Sequence, residues 1–523
     1  MDAEQPAGGW PAHGKDRLRS SRLEPWPAAS EAGWLCVLVG LAMAGCAVAR
    51  PASTSHIRLG LYPPDRLEAG ESCQRRDWVG GPGSEVHADL ISRKVRGTVE
   101  QQCHAADRPS WRGALRAEDG GEEEKESGTG NNRWDSGQET SAPELPVDIL
   151  MHVFATLEIP DLVRAGSVCT SWFSAYATLR KLGKHKQSQT PCLLYTSESA
   201  AIRSRFLIGS SLGLLVTVDD RSEMHLVNPI TGEQIALPSV TTMKHVKPIC
   251  NDSGAVHKYE YTRDSAKQAF STSIYALCAL RESFYFKSLV FYDDTSSGRF
   301  IVVLIHEPFG QLSFARVGDD KWTWLPPHDD YQDCTYKDGL LYAVTKRAEI
   351  HAFDLSGPAV TMEIIRGVDV DLDLDCVYIV QAPWGGLLLV SRLIEIEDPD
   401  DEEADTEIPL PKYTVEIKLY KVDVGTMKLV ETDCLPGYVL FLGHNHSLCL
   451  SAKEYPSLKG NHAYFTDDDE YITGRKSCRR DIGVVDLGSN SKKDLVPPQL
   501  WSNWPAPVWI TPNITMMKLV SNK

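Results

Sequence analysis

None of the thirteen cysteines forms a C-x-x-C pair, and their scatter from Cys36 to Cys478 leaves no short spacing suited to a zinc site or a compact disulfide framework. They read as reduced, intracellular thiols. Cys169, Cys278, Cys376 and Cys449 lie in apolar segments, where cysteine behaves as a small hydrophobe, so core packing is expected for them. No P-loop, G-x-G-x-x-G or H-E-x-x-H occurs, which removes the usual phosphate cradle, the dinucleotide turn and the helical zinc pair. Positive charge is also in deficit. With 54 Lys and Arg against 71 Asp and Glu, the net charge of -17 repels phosphate backbones, and no nucleic-acid partner is expected. A clean repeat of 40 to 50 residues is likewise missing.

What is present is a chain of 523 residues, too long for one ordinary domain, with 42% hydrophobic and 24% charged residues. That balance indicates neither wholesale disorder nor a polytopic membrane protein. Residues 1 to 140 carry Pro, Gly, Ser and mixed charge without sustained periodicity. They end in the polar stretch Glu118 to Lys125, so a disordered leader is expected. One apolar run, residues 32 to 49, interrupts it without a charge and ends in Ala47-Val48-Ala49, which has the look of a signal-peptidase site. The n-region ahead of that run is too long and contains Glu24 and Glu31, and the Gly and Ala content makes insertion marginal. No membrane or secretory role is assigned to it.

From Pro143 to about Leu182 the periodicity is helical. Pro146 and Asp148 mark a helix start. Ile149, Leu150, Val153, Phe154 and Leu157 make one apolar stripe that Ile159-Pro160 ends. Asp161 opens a second helix carrying Leu162, Val163 and Val168, and Cys169 to Phe173 begins a third. Three helices in so few residues bury little alone and leave apolar surface for a partner.

From Cys192 to about Thr511 the pattern changes to short apolar, β-branched and aromatic runs cut by turn residues. Strands are expected at 205 to 208, 213 to 218, 288 to 292, 300 to 305, 340 to 344, 350 to 353, 377 to 380, 387 to 390, 414 to 421, 438 to 442 and 482 to 486. Turn signals at Asn228-Pro229, Lys337-Asp338-Gly339, Trp384-Gly385-Gly386 and Leu435-Pro436-Gly437 separate successive hairpins. So many hairpins suit a β-propeller, where radial repetition leaves few open sheet edges, with the number of blades left open. Glu395 to Glu407 holds nine acidic residues and no base, and is expected to be a solvated loop. The expected fold is therefore multidomain α+β: the leader at 1–140, a helical module at 141–184 and an all-β propeller-like domain at 190–515.

Leu145-Pro146-x-Asp148-Ile149-Leu150, followed by Leu157, Pro160, Asp161-Leu162, Val168-Cys169 and Trp172, resembles the F-box signature in order and spacing. The resemblance implies docking on a Skp-type adaptor and, through it, on cullin and RING subunits of an SCF ubiquitin ligase. It assigns Leu145, Pro146, Ile149, Leu150, Leu162, Val168, Cys169 and Trp172 to forming or supporting the adaptor-binding surface. Phe173, where the family often has Arg, and Ser167 depart from the pattern. A helical cap packed only on the β domain is the plainer alternative for the same residues.

Further along, Gly209-Ser210-Ser211-x-Gly213, Leu226-x-Asn228-Pro229-x-Thr231-Gly232, Phe314-Ala315-Arg316-x-Gly318-Asp319, Trp322-Thr323, Phe441-Leu442-Gly443 and Tyr464 to Asp468 resemble plant F-box proteins with a KIB-type β-propeller. Each stretch also reads as a turn or a sheet-core aromatic. Gly209 to Gly213 matches G-x-S-x-G, but a strand follows where a nucleophile elbow needs a helix, so a hairpin is expected. His444-x-His446 lacks further ligands for a metal and is read as a polar turn.

The combined expectation is a non-catalytic substrate-recognition subunit of the SCF type, with no cofactor, no metal and no membrane partner. Its target is an unknown protein and its compartment the nucleus, the cytoplasm or both. Two readings of other classes stand beside it: a non-ligase F-box scaffold, and an enzyme with converging titratable groups at the propeller axis.

Overall fold

The computed structural model describes residues 59–62, 145–196, 205–264, 269–293, 299–326, 330–357, 359–366, 374–396, 412–468, 480–495 and 506–514. The apolar run at 32 to 49 and nearly all of the acidic insertion lie outside these residues. So does most of the leader, within which Leu59–Tyr62 forms a strand, β1, that composition does not predict. Among the described residues no helix is long and apolar enough to cross a membrane.

Three helices follow. α1, Val147–Phe154, starts from Pro146 at its N-cap, where a missing N–H costs nothing, and Asp148 lies in its first turn. α2, Ile159–Gly166, takes Pro160 into its first turn and begins two residues before the expected Asp161. α3, Thr170–Leu182, ends on Gly183, whose φ of 63° forms a left-handed cap that a residue with a Cβ adopts only with strain. Leu150, Val153 and Phe154 of the expected stripe are buried.

Among the described residues seven sheets make up the rest. β2, Cys192–Thr196, lies between β1 and the last described strand in a three-stranded sheet. The next sheet is β3 Phe206–Ser211, β4 Leu214–Val218, β5 Met224–Val227 and β6 Gln234–Ala236. A three-stranded sheet follows, with β7 Val246–Cys250, β8 Val256–Asp264 and β9 Ala269–Ala276. A short α4, Arg281–Phe284, leads into β10 Tyr285–Asp293, β11 Arg299–His306, β12 Gln311–Arg316 and β13 Thr323–Trp324. Then come β14 Tyr331–Lys337, β15 Leu340–Thr345, β16 Ile350–Asp354 and β17 Thr361–Arg366. They are followed by β18 Cys376–Gln381, β19 Leu387–Ile396, β20 Lys412–Asp423 and β21 Lys428–Thr432. The five-stranded sheet holds β22 Tyr438–Leu442, β23 Leu448–Ser451, β24 His462–Phe465, β25 Gly483–Asp486 and β26 Ser491–Asp494, and β27, Val508–Ile510, returns to pair with β2.

Antiparallel meanders build most sheets, as repeated hairpins demand, while β22 and β24 pair in parallel with β23 on the far side of β22. Two hairpins use tight two-residue connections with consecutive positive φ, Leu212-Gly213 and Asp338-Gly339, the backbone that matches strand twist. The leading strands stand side by side around an axis: β3 against β10, β10 against β14, β14 against β18, β18 against β23, and β27 against β3. β3 and β10 approach so closely that a Cβ on Gly209 would lie 1.8 Å from the Ser288 carbonyl oxygen. Leu193 and Trp509 pack in turn against β22, β24 and β25, so among the described residues six sheets close a ring. The sheet of β7 to β9 packs on its outside through Val246, Tyr259 and Tyr261, in one apolar core with β3 to β5 and β10 to β12.

The helical module does not stand apart. Leu150, Phe154, Ile159, Leu162, Tyr176 and Leu179 share a continuous core with Cys192, Leu194, Leu215, Val227, Ile230, Val508, Ile510 and Ile514. Polar ties support the joint: the Ile159 N–H donates to Gln189 Oε1 at 2.7 Å, and Thr190 Oγ1 and Lys186 Nζ both reach Glu158 Oε1. Of the cysteines expected in core positions, Cys449 is buried and Cys376 partly so. Cys169 and Cys278 are exposed, because they sit at a helix cap and in a turn rather than inside the apolar runs beside them.

Candidate functional site

Two places gather the candidate residues: the solvent side of the helical module and the axis of the ring. On the module, the eight residues implied by the signature divide by burial. Leu150 and Leu162 are fully buried and hold the helices to one another and to the sheets. Leu145, Ile149 and Trp172 are partly buried, and the Trp172 ring meets Phe154 edge-on at 5.4 Å. Pro146, Val168 and Cys169 are exposed. Val168 stays 42% exposed, and Val147 and Phe173 beside it in the sequence pattern are 43% and 45% exposed. Three large apolar side chains left in water on one small module are candidates for cover by a partner. Phe173, noted above only as a departure from the signature, belongs to it.

The axis carries charge where a sheet core is usually apolar. Lys287 of β10 and Asp333 of β14 are paired at 2.9 Å with side-chain exposures of 1% and 0%. Asp333 Oδ2 also accepts from Ser447 Oγ at 2.7 Å and from the Ile379 N–H at 3.2 Å, so one carboxylate ties together four neighbouring leading segments. Burial pushes its carboxyl above the ordinary range, while Lys287 and the two hydrogen bonds pull the other way. Both partners stand at register shifts, between Tyr285 and Lys287 in β10 and between Tyr331 and Asp333 in β14, which aim a side chain inward out of alternation.

A second buried network joins the sheets of β18 to β21 and β22 to β26. Arg392 reaches Asp468 at 2.7 Å, Tyr378 donates to the same Asp468 oxygen at 2.9 Å, and Asp481 accepts from the Thr414 N–H and hydroxyl at 2.6 Å each. Lys492 completes it at 2.5 Å from Asp481. Each carboxylate here faces a cation and the Arg392 side chain is 1% exposed, while Lys492 keeps 22% exposure, an arrangement suited to pinning one sheet to the next. Asp468 falls in a stretch singled out by resemblance, but sequence reasoning gave none of these residues a role as a buried charge. The one available signal was Lys287 and Arg392 standing inside runs that are otherwise apolar.

The two patterns with catalytic echoes resolve structurally. Ser211 is buried in a strand-to-strand hairpin, and its hydroxyl accepts from the Val290 N–H of β10 at 3.0 Å. His444-x-His446, read as a polar turn, is the connection between β22 and β23. His444 and Asn445 in it are buried, His446 is partly so, and the His446 N–H donates to the Ser210 carbonyl at 2.7 Å, closing the five-stranded sheet onto β3. Burial lowers both imidazoles to about 4. Among the described residues no group of three or more His, Cys, Asp or Glu is placed to hold a metal.

Comparison with known proteins matches two family models along this architecture: F-box-like over residues 142–179 and the KIB1-4 beta-propeller over residues 181–486. The Arabidopsis thaliana F-box protein At5g55150 is 22% identical over 71% of this chain and 97% of its own length. F-box protein KIB4 of the same plant is 23% identical over 41% of this chain and 60% of its own. Among solved structures, a prolyl endopeptidase aligns over 50% of each chain at 13% identity with a TM-score of 0.19, too low to show a shared fold.

Proposed function

This chain belongs to the KIB1-4 β-propeller family, and with an F-box-like segment directly ahead of the propeller we propose that it is the substrate-recognition subunit of an SCF-type ubiquitin ligase. The observation that carries this reading is a complete helical signature whose Pro146, Val168 and Phe173 face water while Leu150 and Leu162 hold the fold. The exposed apolar positions take the Skp-type adaptor, with Leu145, Ile149, Cys169 and Trp172 around them. Cullin and RING subunits join through it. Catalysis belongs to the conjugating machinery, and this chain supplies proximity and orientation in the nucleus or cytoplasm. The division into 1–140, 141–184 and 190–515 belongs to the same reading.

The module packs against Ile230 in the Asn228 to Gly232 turn and against Ile510 and Ile514, at one end of the sheets. The target is then read by loops at the opposite end, including Asp219 to Glu223, Glu307 to Gly310 and Thr345 to Glu349. Co-precipitation of a recombinant Skp-type adaptor by the full chain tests the assignment. Val168→Asp with Phe173→Asp, both on exposed positions, should weaken capture at least tenfold with the circular dichroism unchanged. Undiminished capture removes this surface from the adaptor. Adaptor binding without recruitment of cullin would instead favour the non-ligase scaffold.

A further inference from the structure

β1 precedes the helical module and β2 follows it, yet the two pair antiparallel with Leu59 opposite Thr196, Gly60 opposite Tyr195, Leu61 opposite Leu194 and Tyr62 opposite Leu193. Neither family match includes this pairing, since the F-box-like segment starts at 142. On its other edge β2 pairs with β27, Leu193 opposite Trp509. Its two faces are both covered. Leu193 packs into the core of β22, β24, β25 and Trp509, while Cys192 and Leu194 pack into the core shared with the helices. A strand walled on both faces leaves its free edge as a row of N–H and C=O groups in an apolar slot, where unpaired groups are costly and water is a poor substitute.

We propose that the outer edge of β2 is a strand-accepting surface and that its occupant is this chain's own Leu59–Tyr62, docked in cis by β-augmentation. The occupant suits the slot: Leu-Gly-Leu-Tyr carries no charge, and it ends one residue before Pro63-Pro64, which cannot continue a ladder. Residues 63 to 191, including the whole helical module, are therefore an insertion between two neighbouring strands of the sheet that closes the ring. The leader contributes a strand to the folded body rather than hanging from it.

Hydrogen exchange of the full chain and of a chain starting at residue 63 reads the edge directly. The alternate amides in Leu193–Thr196 that point toward β1 should exchange at least tenfold faster without it. A synthetic peptide of residues 57–64 should restore their protection, and the same peptide with Leu61→Pro should not. Equal exchange in the two chains, or equal rescue by the proline peptide, overturns the proposal. If the shortened chain fails to fold, the register is tested in the full chain: Leu59→Cys with Thr196→Cys, which lie directly opposite, should form a disulfide on mild oxidation that peptide mass mapping identifies. Leu59→Cys with the non-adjacent Thr361→Cys is the control. Linkage in neither pair, or equally in both, also overturns it.

Discussion

Lys287 and Asp333 hold the axis by an interaction whose sign depends on both partners being present. Lys287→Met leaves the Asp333 carboxylate buried without its counter-charge, and breaking one partner of such a pair costs about 3–5 kcal/mol. The urea midpoint of the variant should fall accordingly. Adding Asp333→Asn removes the stranded charge while keeping groups that can meet Ser447 and the Ile379 N–H, so the double variant should be more stable than Lys287→Met alone. A double variant no better than the single would show that the pair is not coupled. The histidines make a second residue-scale prediction. Burial lowers His306 to about 3 and both His444 and His446 to about 4, against 6.5 in the unfolded chain. Between those values the unfolded state binds more protons, so stability is full above pH 6.5 and is lost as the pH falls toward 4. Each histidine adds a slope of at most about 1.4 kcal/mol per pH unit. Denaturation from pH 7 to 5 should show the decline, and His446→Gln should flatten it.

At the scale of elements, β3 and β10 meet through a position that admits no side chain. A Cβ on Gly209 would strike backbone at Ser288, so Gly209→Ala must push these neighbouring leading strands apart, at a cost of about 3 kcal/mol. Because the clash is with a carbonyl oxygen, Ser288→Ala should give no relief. Recovery in that double variant would place the obstacle in the side chain instead. The strands themselves were legible from apolar runs and turn residues, and each of the eleven expected segments overlaps an observed strand. Strands such as β7 and β17 were not, because VKPIC and TMEIIR are short, interrupted or edge-exposed and carry no alternation to read. The helical signature was legible because its spacing is local. Which of its residues face water was not: Leu150 and Leu162 are consumed by a core that the β domain completes from residues far along the chain. The buried charges escaped for the same reason, since KS in YFKSLVFYD reads as surface until β10 is known to stand at the axis.

For the whole molecule, closure decides cooperativity. The propeller match ends at residue 486, yet the ring ends at β27, where Val508, Trp509 and Ile510 are all buried. The Trp509 ring stands edge-on to Phe441 at 5.1 Å and to Tyr464 at 5.9 Å, and Asn228 Nδ2 donates to the Asn513 carbonyl at 2.9 Å just beyond. Gly213 in the β3–β4 turn nests so tightly on Thr511 and Asn513 that a Cβ there would lie 2.5 Å from the Asn513 side chain. A chain stopped after residue 495 keeps the whole family match but exposes one edge of β2, the side of β3 and the floor of the helical module at once. Each loss is non-local, so the neighbouring sheets cannot make it good. Trp509→Ala alone should cost about 3–5 kcal/mol while leaving a single melting transition. The chain stopped after residue 495 should instead melt broadly and bind a hydrophobic dye at room temperature. A sharp transition in it, near that of the full chain, would show that the ring closes without β27.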